Sequence, residues 1–393
     1  MNKLVILKQD DKMISAIYQD NDMVQVNVES LENESLLGNI YIGKVKNIVR
    51  NINAAFVEIA NGTMCYLSLE DCEAPIYVNP KKNKKLTVGD ELFVQVTKEN
   101  VKTKAPMVVT SLSFTGKYVV LTHGKLTLGI SNKINEEKRR VELKELLSSY
   151  KNKEYGLILR TNTKEAKDDL IKAEIERLII SYKKTLEFGI HKTCYSLIYK
   201  APANYLCDIR DGQSKEIDEF ITDDKEIYEE MKEFLTVFQP EDLSKLNYYQ
   251  DNQLSLSALY SVKTKLEKAL QERVWLKSGG YLVIQPTEAL TVIDVNTGKA
   301  IAGKKNEEET FYKINQEAAV MIAKQLRLRN LSGIIIIDFI DMKVKENKVK
   351  LMELLRNYCN KDNVKTTVVD MTALHLVEVT RKKVRKPLYE QIK

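Results

Sequence analysis

The sequence has little of what membrane, secreted and metal-cluster proteins depend on. No apolar run approaches the roughly 18 residues that a membrane-spanning helix needs. An acidic residue, Asp10, follows the start too closely for a secretory signal peptide. The five cysteines are odd in number and form no C-x-x-C pair, so neither a disulfide framework nor structural zinc is expected. We therefore expect a cytoplasmic protein with reduced thiols and no membrane segment.

The length and composition of the chain are those of a soluble protein with several domains. A chain of 393 residues is too long for one ordinary core, so two to four domains are expected. Its hydrophobic fraction of 44% and charged fraction of 30% are typical of globular proteins. The net charge of +6 is mild, and where the cations cluster is more informative than their sum.

The hydrophobic pattern changes along the chain and predicts a multidomain α+β fold. Residues 1–34 indicate three short strands, which need later strands to complete their sheet. Residues 35–115 have the short strands and bend glycines of a small closed barrel of the OB type. Residues 116–202 and 203–272 mix strands with helices, and residues 273–393 form the clearest α/β segment.

Two aspartates in apolar strands are the strongest indication of a metal-binding site in the sequence. Asp338 is the only charge in the run Ile334–Ile340, which is typical of a strand covered on both faces. Asp294 follows Val292-Ile293, and a period of two places Asp294 and Asn296 on one face of their strand. A carboxylate among apolar residues is costly unless it is paired or binds metal. Two carboxylates and an amide suit Mg²⁺, which would activate water and offset charge on a scissile phosphate.

The alternative is that each aspartate caps a strand end or pairs with a nearby cation. Lysines and arginines surround the two strands in sequence and favour a polyanionic substrate, although such runs are usually solvated faces. They are Lys299, Lys304, Lys305, Lys324, Arg327, Arg329, Arg381, Lys382, Lys383 and Arg385. The three histidines of the chain offer no compelling general base.

Two aromatic residues of the predicted barrel suggest an RNA-binding surface. Phe56 and Tyr66 lie on neighbouring predicted strands, in the same segment as Lys44, Lys46 and Lys104. Exposed rings beside cations make a stacking platform for unpaired bases. Either ring could equally belong to the barrel core.

Several long strings resemble the RNase E/G family. They are Ser278–Tyr281, Thr287–Gly298, Asn315–Ala319, Gln325–Arg329 and Gly333–Met342. Weaker similarity at Gly38–Tyr41, Ala54–Val57 and Leu159–Thr161 extends the resemblance to nearly the whole chain. The ribonuclease G branch is the nearer one, because the long disordered tail of the E branch is absent.

The resemblance implies a specific domain order. Residues 1–34 and 203–272 would form an RNase H-like domain. Inserted in it would be an OB-fold RNA-binding barrel at 35–115 and a 5′-end sensor domain at 116–202. Residues 273–393 would form a DNase I-like catalytic domain.

The resemblance also implies roles for individual residues. Asp294 and Asp338 match the family's magnesium ligands, and Asn296 matches its supporting catalytic asparagine. The RNA-binding residues of the barrel would be Phe56, Tyr66 and Lys104. The pocket for a 5′-monophosphate would comprise Gly116, Val120, Arg160 and Thr161. A guanidinium next to a hydroxyl can donate several hydrogen bonds to one phosphate, which supports this assignment.

Two departures from the family pattern change these expectations. The chain ends at Lys393 without the family's C-P-x-C-x-G-x-G motif, so neither zinc nor a zinc-mediated dimer is expected, while other homo-oligomers stay open. Ala373 replaces a basic residue that supports the 5′ pocket, which predicts weaker end sensing. The neighbouring His375 is expected to have a packing role.

The leading hypothesis is a magnesium-dependent endoribonuclease that cuts single-stranded RNA and leaves 5′-phosphate and 3′-hydroxyl ends. It would favour 5′-monophosphorylated RNA and act in rRNA and tRNA maturation and mRNA decay. The alternative is a non-catalytic RNA-binding or ribosome-associated protein that retains the fold, and a DNA nuclease is a third candidate. The barrel aromatics disfavour DNA, and the intact aspartates disfavour a non-catalytic role.

Overall fold

The structure is a computed structural model that describes residues 1–31, 35–81, 85–99, 105–211, 217–299 and 307–392. It divides into two compact units, both of which are discontinuous in sequence. The first unit comprises Met1–Glu32, Lys215–Glu230 and Lys245–Lys393. The second unit comprises Asn33–Ser214 and Met231–Ser244.

The elements are numbered in chain order. The strands are β1 (Asn2–Gln9), β2 (Lys12–Gln19), β3 (Asp22–Ser30), β4 (Ile40–Val49), β5 (Ala54–Glu58), β6 (Met64–Ser68), β7 (Glu91–Lys98), β8 (Met107–Val109), β9 (Ser113–Thr115), β10 (Val119–His123), β11 (Leu128–Ile130), β12 (Tyr155–Leu159), β13 (Leu197–Tyr199), β14 (Glu219–Thr222), β15 (Leu246–Tyr248), β16 (Arg273–Trp275), β17 (Tyr281–Pro286), β18 (Leu290–Asn296), β19 (Gly333–Asp338), β20 (Thr366–Met371) and β21 (Leu376–Arg381). The helices are α1 (Glu137–Ser148), α2 (Asp168–Ile190), α3 (Asn204–Asp211), α4 (Lys225–Phe238), α5 (Leu256–Leu259), α6 (Val262–Leu270), α7 (Glu307–Leu328), α8 (Lys345–Cys359) and α9 (Leu388–Gln391).

In the first unit, the three N-terminal strands complete a sheet with later strands, as the sequence predicted. The strand order is β15-β14-β1-β2-β3, and β1 pairs parallel to β14 with Leu4 opposite Phe220. Leu256, Val262 and Leu388, from the short helices α5, α6 and α9, belong to the core cluster of this sheet. A meander of three strands therefore gains its core from segments more than 200 residues later.

The second sheet of the first unit has the order β16-β17-β18-β19-β21-β20. Only the central pair of this sheet, β18 and β19, runs parallel. Strands β17 and β18 form a hairpin, in which Pro286 lies opposite Thr291. Helices α7 and α8 share one apolar core with this sheet through residues such as Ile314 and Leu351.

The expectation that β19 is covered on both faces is wrong. Ile335 and Ile337 are fully buried, whereas Ile334 is 52% exposed and Asp338 is also exposed. Successive side chains of a strand point to opposite faces, and α7 and α8 provide apolar cover for only one of them among the described residues. The other face, here called the open face, is where alternate residues of each strand reach solvent.

The second unit contains the predicted OB-type barrel. Strands β4, β5, β6, β8 and β7 are paired in that order, and the pairing of β7 with β4 closes the ring. The β6–β8 pair is parallel, and the other pairs of the ring are antiparallel. Residues such as Val57, Leu67 and Val94 fill the interior, so the predicted α+β class with a small closed barrel is confirmed.

A second, four-stranded sheet of this unit has the order β11-β12-β10-β9. Helices α1 and α2 pack on it, with Leu143 and Ile175 fully buried in a common core with Leu157. The apolar residues of α2 that enter this core, among them Ile171, Ile175 and Leu178, recur at helical spacing. The sheet and α2 together fix the turn that joins β9 to β10.

Replacing Arg381 with alanine should strongly destabilise the first unit. Arg381 is 4% exposed, and its Nε lies 2.7 Å from Oδ2 of Asp362, which is also buried. Its Nη1 also donates to Asn330 and to the carbonyl of Leu331. Removing one partner leaves a buried charge unpaired, which costs about 3–5 kcal/mol.

Urea unfolding followed by circular dichroism measures this loss. The matched control is Lys382→Ala, because Lys382 is exposed and adjacent, and it should change the free energy of unfolding by less than about 0.5 kcal/mol. An equally small change for Arg381→Ala would contradict the structural role assigned to the pair.

Candidate active site

Asp294, Asn296 and Asp338 lie together on the open face of the six-stranded sheet. Within β18, Ile293 and Val295 are buried while Asp294 is exposed and Asn296 is half-buried, which is the alternation that the sequence predicted. In the parallel pairing of β18 with β19, Asp294 lies opposite Asp338. Both strands end at or just after these residues. The two carboxylates are therefore neighbours at the carboxyl ends of two parallel strands.

The two carboxylates repel each other. Partial burial, then the negative charges of Asp294 and Asp341, raise the pKa of Asp338 above its ordinary value. The Nδ2 atom of Asn296 donates to Oδ2 of Asp294 at 2.7 Å. Within the described ranges, neither Asp294 nor Asp338 forms an ion pair with a lysine or arginine, so the alternative of simple charge pairing has no support there. Because the aspartates are exposed, the premise that they are buried carboxylates is wrong.

These oxygen donors match the preferences of Mg²⁺. Magnesium is usually held by one or two carboxylates, with waters and substrate phosphates completing its octahedron. Asp294 and Asp338 supply two carboxylates, and in the described part of the chain no group of three or more His, Cys, Asp or Glu side chains is arranged to hold a metal ion. A divalent cation between the two carboxylates would also offset their repulsion. The residues present therefore fit a magnesium ion.

Polar side chains of α7 hold the segments beside these aspartates. Buried Asn315 donates to the carbonyl of Ile340 at 2.7 Å and accepts from its N–H at 3.1 Å, which fixes the chain just after β19. Glu317 accepts from the N–H groups of Lys277 and Ser278, just before β17. Sequence reasoning missed these supporting roles. A signal was present, since the polar Asn315 lies among the apolar residues Ile314 and Ala318 that α7 buries.

His375 does not have the packing role that the sequence predicted. Its ring is exposed in the turn between β20 and β21, and its φ of 65° is left-handed. Nδ1 of His375 lies 2.8 Å from Oδ1 of Asp341, and Nε2 lies 3.3 Å from Nζ of Lys348. The prediction is wrong because the left-handed turn directs the ring to solvent rather than to the core. Ala373 is exposed in the same turn.

Two of the cations expected around the aspartates have structural roles instead. Arg381 lies opposite Gly333, at the end of β19 farthest from Asp338. Arg329 is buried and its Nε donates to Gln325 at 2.6 Å, and burial lowers its pKa to about 10. Lys304 and Lys305 lie outside the described residues.

The four residues predicted to bind a 5′-phosphate come together in the second unit. The Nη1 atom of Arg160 donates to the carbonyl of Gly116 at 2.6 Å, and its Nη2 lies 2.7 Å from Oδ1 of Asp211. Oγ1 of Thr161 lies 3.0 Å from Oγ of Ser131. Val120 is half-buried on β10, in the strand that follows the Gly116 turn.

Side chains that the sequence did not single out hold the Gly116 turn in place. Buried Lys117 lies 2.8 Å from Glu241 and 2.5 Å from Asp242, and the hydroxyl of Tyr118 donates to Glu241 at 2.7 Å. Both carboxylate oxygens of Glu174 accept from the N–H of Tyr118. A Cβ on residue 116 would lie 1.5 Å from Glu174, so only glycine fits. The turn is therefore rigid.

Phe56 and Tyr66 lie on the outside of the barrel rather than in its core. They are cross-strand partners on β5 and β6, and their rings meet edge to face with centroids 6.2 Å apart. Both are half-buried, whereas the alternate residues Val57 and Cys65 are fully buried. Lys44 and Lys46 pair with Glu91 and Glu58, and Lys104 lies outside the described residues.

Comparison with known proteins agrees with the resemblance seen in the sequence. The model of the "Ribonuclease E/G family" matches residues 113–384, which include both aspartates and Arg160. The chain belongs to the ribonuclease E/G family. It is 35% identical to ribonuclease G of Haemophilus influenzae and 34% identical to ribonuclease G of Escherichia coli strain K12, covering 95% and 94% of this chain and 78% of each relative. It is also 31% identical to ribonuclease E of Synechocystis over 99% of this chain and 58% of that protein.

The predicted membership in the ribonuclease E/G family is thereby confirmed. The described part of this family member contains no helix long and apolar enough to cross a bilayer. Asp294, Asn296, Asp338, Gly116, Val120, Arg160 and Thr161 fall inside the range of the family model, while Phe56 and Tyr66 precede it.

The stability of the second unit should fall as the pH rises, because of Glu174. Burial raises the pKa of Glu174 to about 7, from an unfolded value of 4.5. Between these two values the folded chain binds more protons than the unfolded chain, so the free energy of unfolding decreases with rising pH. The full decrease is about 3 kcal/mol, at about 1.4 kcal/mol per pH unit.

Urea unfolding of the wild type and of Glu174→Gln between pH 5 and about 8 tests this. Over this pH range the free energy of unfolding of the variant should fall by less than that of the wild type, by up to about 3 kcal/mol. This difference in slope is expected whatever the stability of the variant at a single pH. Glu176→Gln changes an exposed neighbour on α2 and should leave the slope unchanged. Parallel curves for Glu174→Gln and the wild type would refute the assignment.

Proposed function

We propose that this chain is an endoribonuclease that hydrolyses single-stranded RNA with a magnesium ion held by Asp294 and Asp338. One observation carries the proposal, namely the side-by-side placement of the two carboxylates beside Asn296 on an open sheet face. Membership in a family whose members include proteins named ribonuclease G and ribonuclease E supports RNA as the substrate.

The residues of the site would divide the work of phosphodiester hydrolysis. When bound, Mg²⁺ supplies positive charge to the scissile phosphate and lowers the pKa of a water. Asp294 and Asp338 would hold that ion on the open face. The amide of Asn296, oriented by its bond to Asp294, has a second N–H to donate to a phosphate oxygen. Water adds to phosphorus, the bond to the 3′ oxygen breaks, and the products are a 5′-phosphate and a 3′-hydroxyl.

Phe56 and Tyr66 would bind unpaired bases of the same RNA. Their position on the outer surface of the barrel leaves part of each ring free to contact a base. Base–aromatic stacking requires bases that are free of a duplex, which favours single-stranded RNA. In this proposal the barrel selects unpaired RNA, and Lys104, which lies outside the described residues, keeps the RNA-binding role that the family resemblance implies.

Arg160 and Thr161 would recognise a 5′-monophosphate with Gly116 and Val120. The guanidinium of Arg160 is fixed by Gly116 and Asp211, and these contacts use two of its five N–H donors. A guanidinium that is already held in place loses little conformational entropy when it binds a phosphate. Ala373 stands where the family resemblance implies a basic residue, and we propose on that ground that the preference for a monophosphate is modest.

The finer organisation follows the family pattern in this proposal. Residues 1–34 and 203–272 form an RNase H-like domain, residues 35–115 the RNA-binding barrel, residues 116–202 the 5′ sensor and residues 273–393 a DNase I-like catalytic domain. We further propose that the enzyme acts in the cytoplasm on precursors of rRNA and tRNA and on mRNA.

Asp294→Asn should remove cleavage and spare RNA binding. The substitution keeps the shape of the side chain but removes one of the two charges that would hold the metal. We expect the cleavage rate to fall by on the order of a hundred- to a thousandfold, the loss typical when one charge-stabilising group is removed.

The assay uses a 5′-monophosphorylated oligoribonucleotide with and without Mg²⁺, and filter binding measures affinity. Asp370→Asn is the matched control, because Asp370 is an exposed aspartate of the same sheet that accepts from the N–H of Met371, a bond that asparagine preserves. Wild-type cleavage rates for Asp294→Asn would rule out this mechanism.

Arg160→Ala should reduce the preference for a 5′-monophosphate. Losing a charge-assisted hydrogen bond to a phosphate should lower the ratio of monophosphate to 5′-hydroxyl cleavage rates by about tenfold. Cleavage of the 5′-hydroxyl RNA should change little, and Arg160→Lys should restore part of the ratio. Lys164→Ala is the control, because Lys164 is an exposed cation four residues away that pairs with Glu136. If the ratio of monophosphate to 5′-hydroxyl cleavage rates is unchanged in Arg160→Ala, Arg160 does not recognise the 5′ end.

A further inference from the structure

An exposed tryptophan lies on the same sheet face as the candidate catalytic residues. Trp275 is the only tryptophan of the chain, and it is 60% exposed. In the antiparallel pairings, Trp275 of β16 lies opposite Tyr281 of β17, and Tyr281 lies opposite Asn296 of β18. Directly opposite residues project from the same face of a sheet. Trp275, Tyr281 and Asn296 therefore form one cross-strand row on the open face.

The adjacent row leads to the two aspartates. Arg273 of β16 lies opposite Val283, which lies opposite Asp294, which lies opposite Asp338. The residues between these positions, such as Val274 and Leu282, contribute to the apolar core on the other face. The pattern of burial thus agrees with the assignment of both rows to the open face.

Arg273, Trp275 and Tyr281 form a compact cluster. The ring centroids of Trp275 and Tyr281 are 5.2 Å apart, with 58° between the ring planes. The Cζ atom of Arg273 lies 4.5 Å from the centroid of Tyr281 and 5.7 Å from that of Trp275. Cation–π contacts at these distances favour a fixed arrangement of the three side chains. The cluster therefore presents an ordered aromatic surface with a positive charge.

We propose that Arg273, Trp275 and Tyr281 form a stacking subsite for an unpaired nucleobase close to the scissile phosphodiester. Flat rings beside a guanidinium are the surface on which single-stranded nucleic acid stacks without strong sequence preference. The positive charge matches the phosphate that accompanies each base. This inference rests on the proposed function, because it uses the position of Asp294 and Asp338 to place the cleaved bond.

The spacing of the strands fits this role. Neighbouring strands lie about 4.8 Å apart, so the backbone of Tyr281 is about 5 Å and that of Trp275 about 10 Å from Asn296. Stacked nucleotides of one strand are about 3.4 Å apart. The subsite thus serves a base within about three nucleotides of the cleaved bond. It would hold the RNA across the open face and limit sideways movement of the scissile phosphate.

Trp275 itself reports on the proposed contact. Its fluorescence can be excited without the tyrosines, and stacking of a base on the indole should quench it. The probe is a short single-stranded oligoribonucleotide in the absence of divalent cations, titrated into the unmodified full-length chain. The matched control ligand is a ribose-phosphate chain of the same length without bases, which has the same charge and should quench little. Trp275→Phe sets the background signal.

Steady-state cleavage provides the second measurement. Trp275→Ala should raise KM by about 5- to 150-fold, the range of base–aromatic stacking, with kcat within about twofold. Trp275→Phe should recover much of the affinity. Phe188→Ala is the matched control, because Phe188 is an exposed aromatic of α2 with Nζ of Lys192 4.2 Å from its ring centroid, and it should leave KM unchanged.

The results separate the subsite from the proposed function. Cleavage by the wild type with base-dependent quenching and the KM effect supports both. Cleavage without quenching, or with an unchanged KM in Trp275→Ala, overturns the subsite and leaves the endoribonuclease standing. Quenching without any cleavage supports base binding at Trp275 and contradicts the proposed function. Fluorescence that changes with protein concentration but not with RNA assigns Trp275 to contact with a second copy and overturns the subsite.

Discussion

The register between β18 and β19 is the constraint on which the candidate site depends. Asp294 and Asp338 are neighbours only because the two strands run parallel and pair residue for residue up to these positions. A slip of one residue would turn one carboxylate towards the core, where an isolated charge is costly. The register is held by Ile293, Ile335 and Ile337, which are fully buried beneath α7. Apolar packing on one face thus forces two like charges together on the other.

The pocket around Arg160 is built by a different principle. At Asp294 and Asp338, apolar packing holds two exposed carboxylates together, whereas buried ionisable side chains hold the Gly116 turn. Glu174 accepts from the N–H of Tyr118, and Lys117 is buried against Asp242. Such groups are expensive to bury unless every one is satisfied, so they specify a single arrangement of the turn. In the proposed function, these contacts hold Gly116 and Arg160 in place for a 5′-phosphate.

Sequence reasoning succeeded where local periodicity decides the outcome and failed where register or turns decide it. The period of two placed Asp294 and Asn296 on one face, and the short alternating strands predicted the barrel. The periodicity could not reveal which face of β19 lacks helices, so the expectation that Asp338 is buried was wrong. Nor could it show that Arg381 pairs at the far end of β19, or that His375 adopts a left-handed turn. These features depend on partners distant in sequence.

The open face also explains why polar and aromatic residues alternate with core residues in β16, β17 and β18. A sheet with apolar cover on one side needs no side chains for packing on the other, so those positions are available for binding. On this face the aromatic row of Trp275 and Tyr281 reaches Asn296, and the row of Arg273 reaches the two aspartates. A single-stranded polyanion that follows these rows meets a cation and two rings before it reaches the carboxylates. The same antiparallel hairpin that places Asn296 therefore also places the surface that would align its substrate.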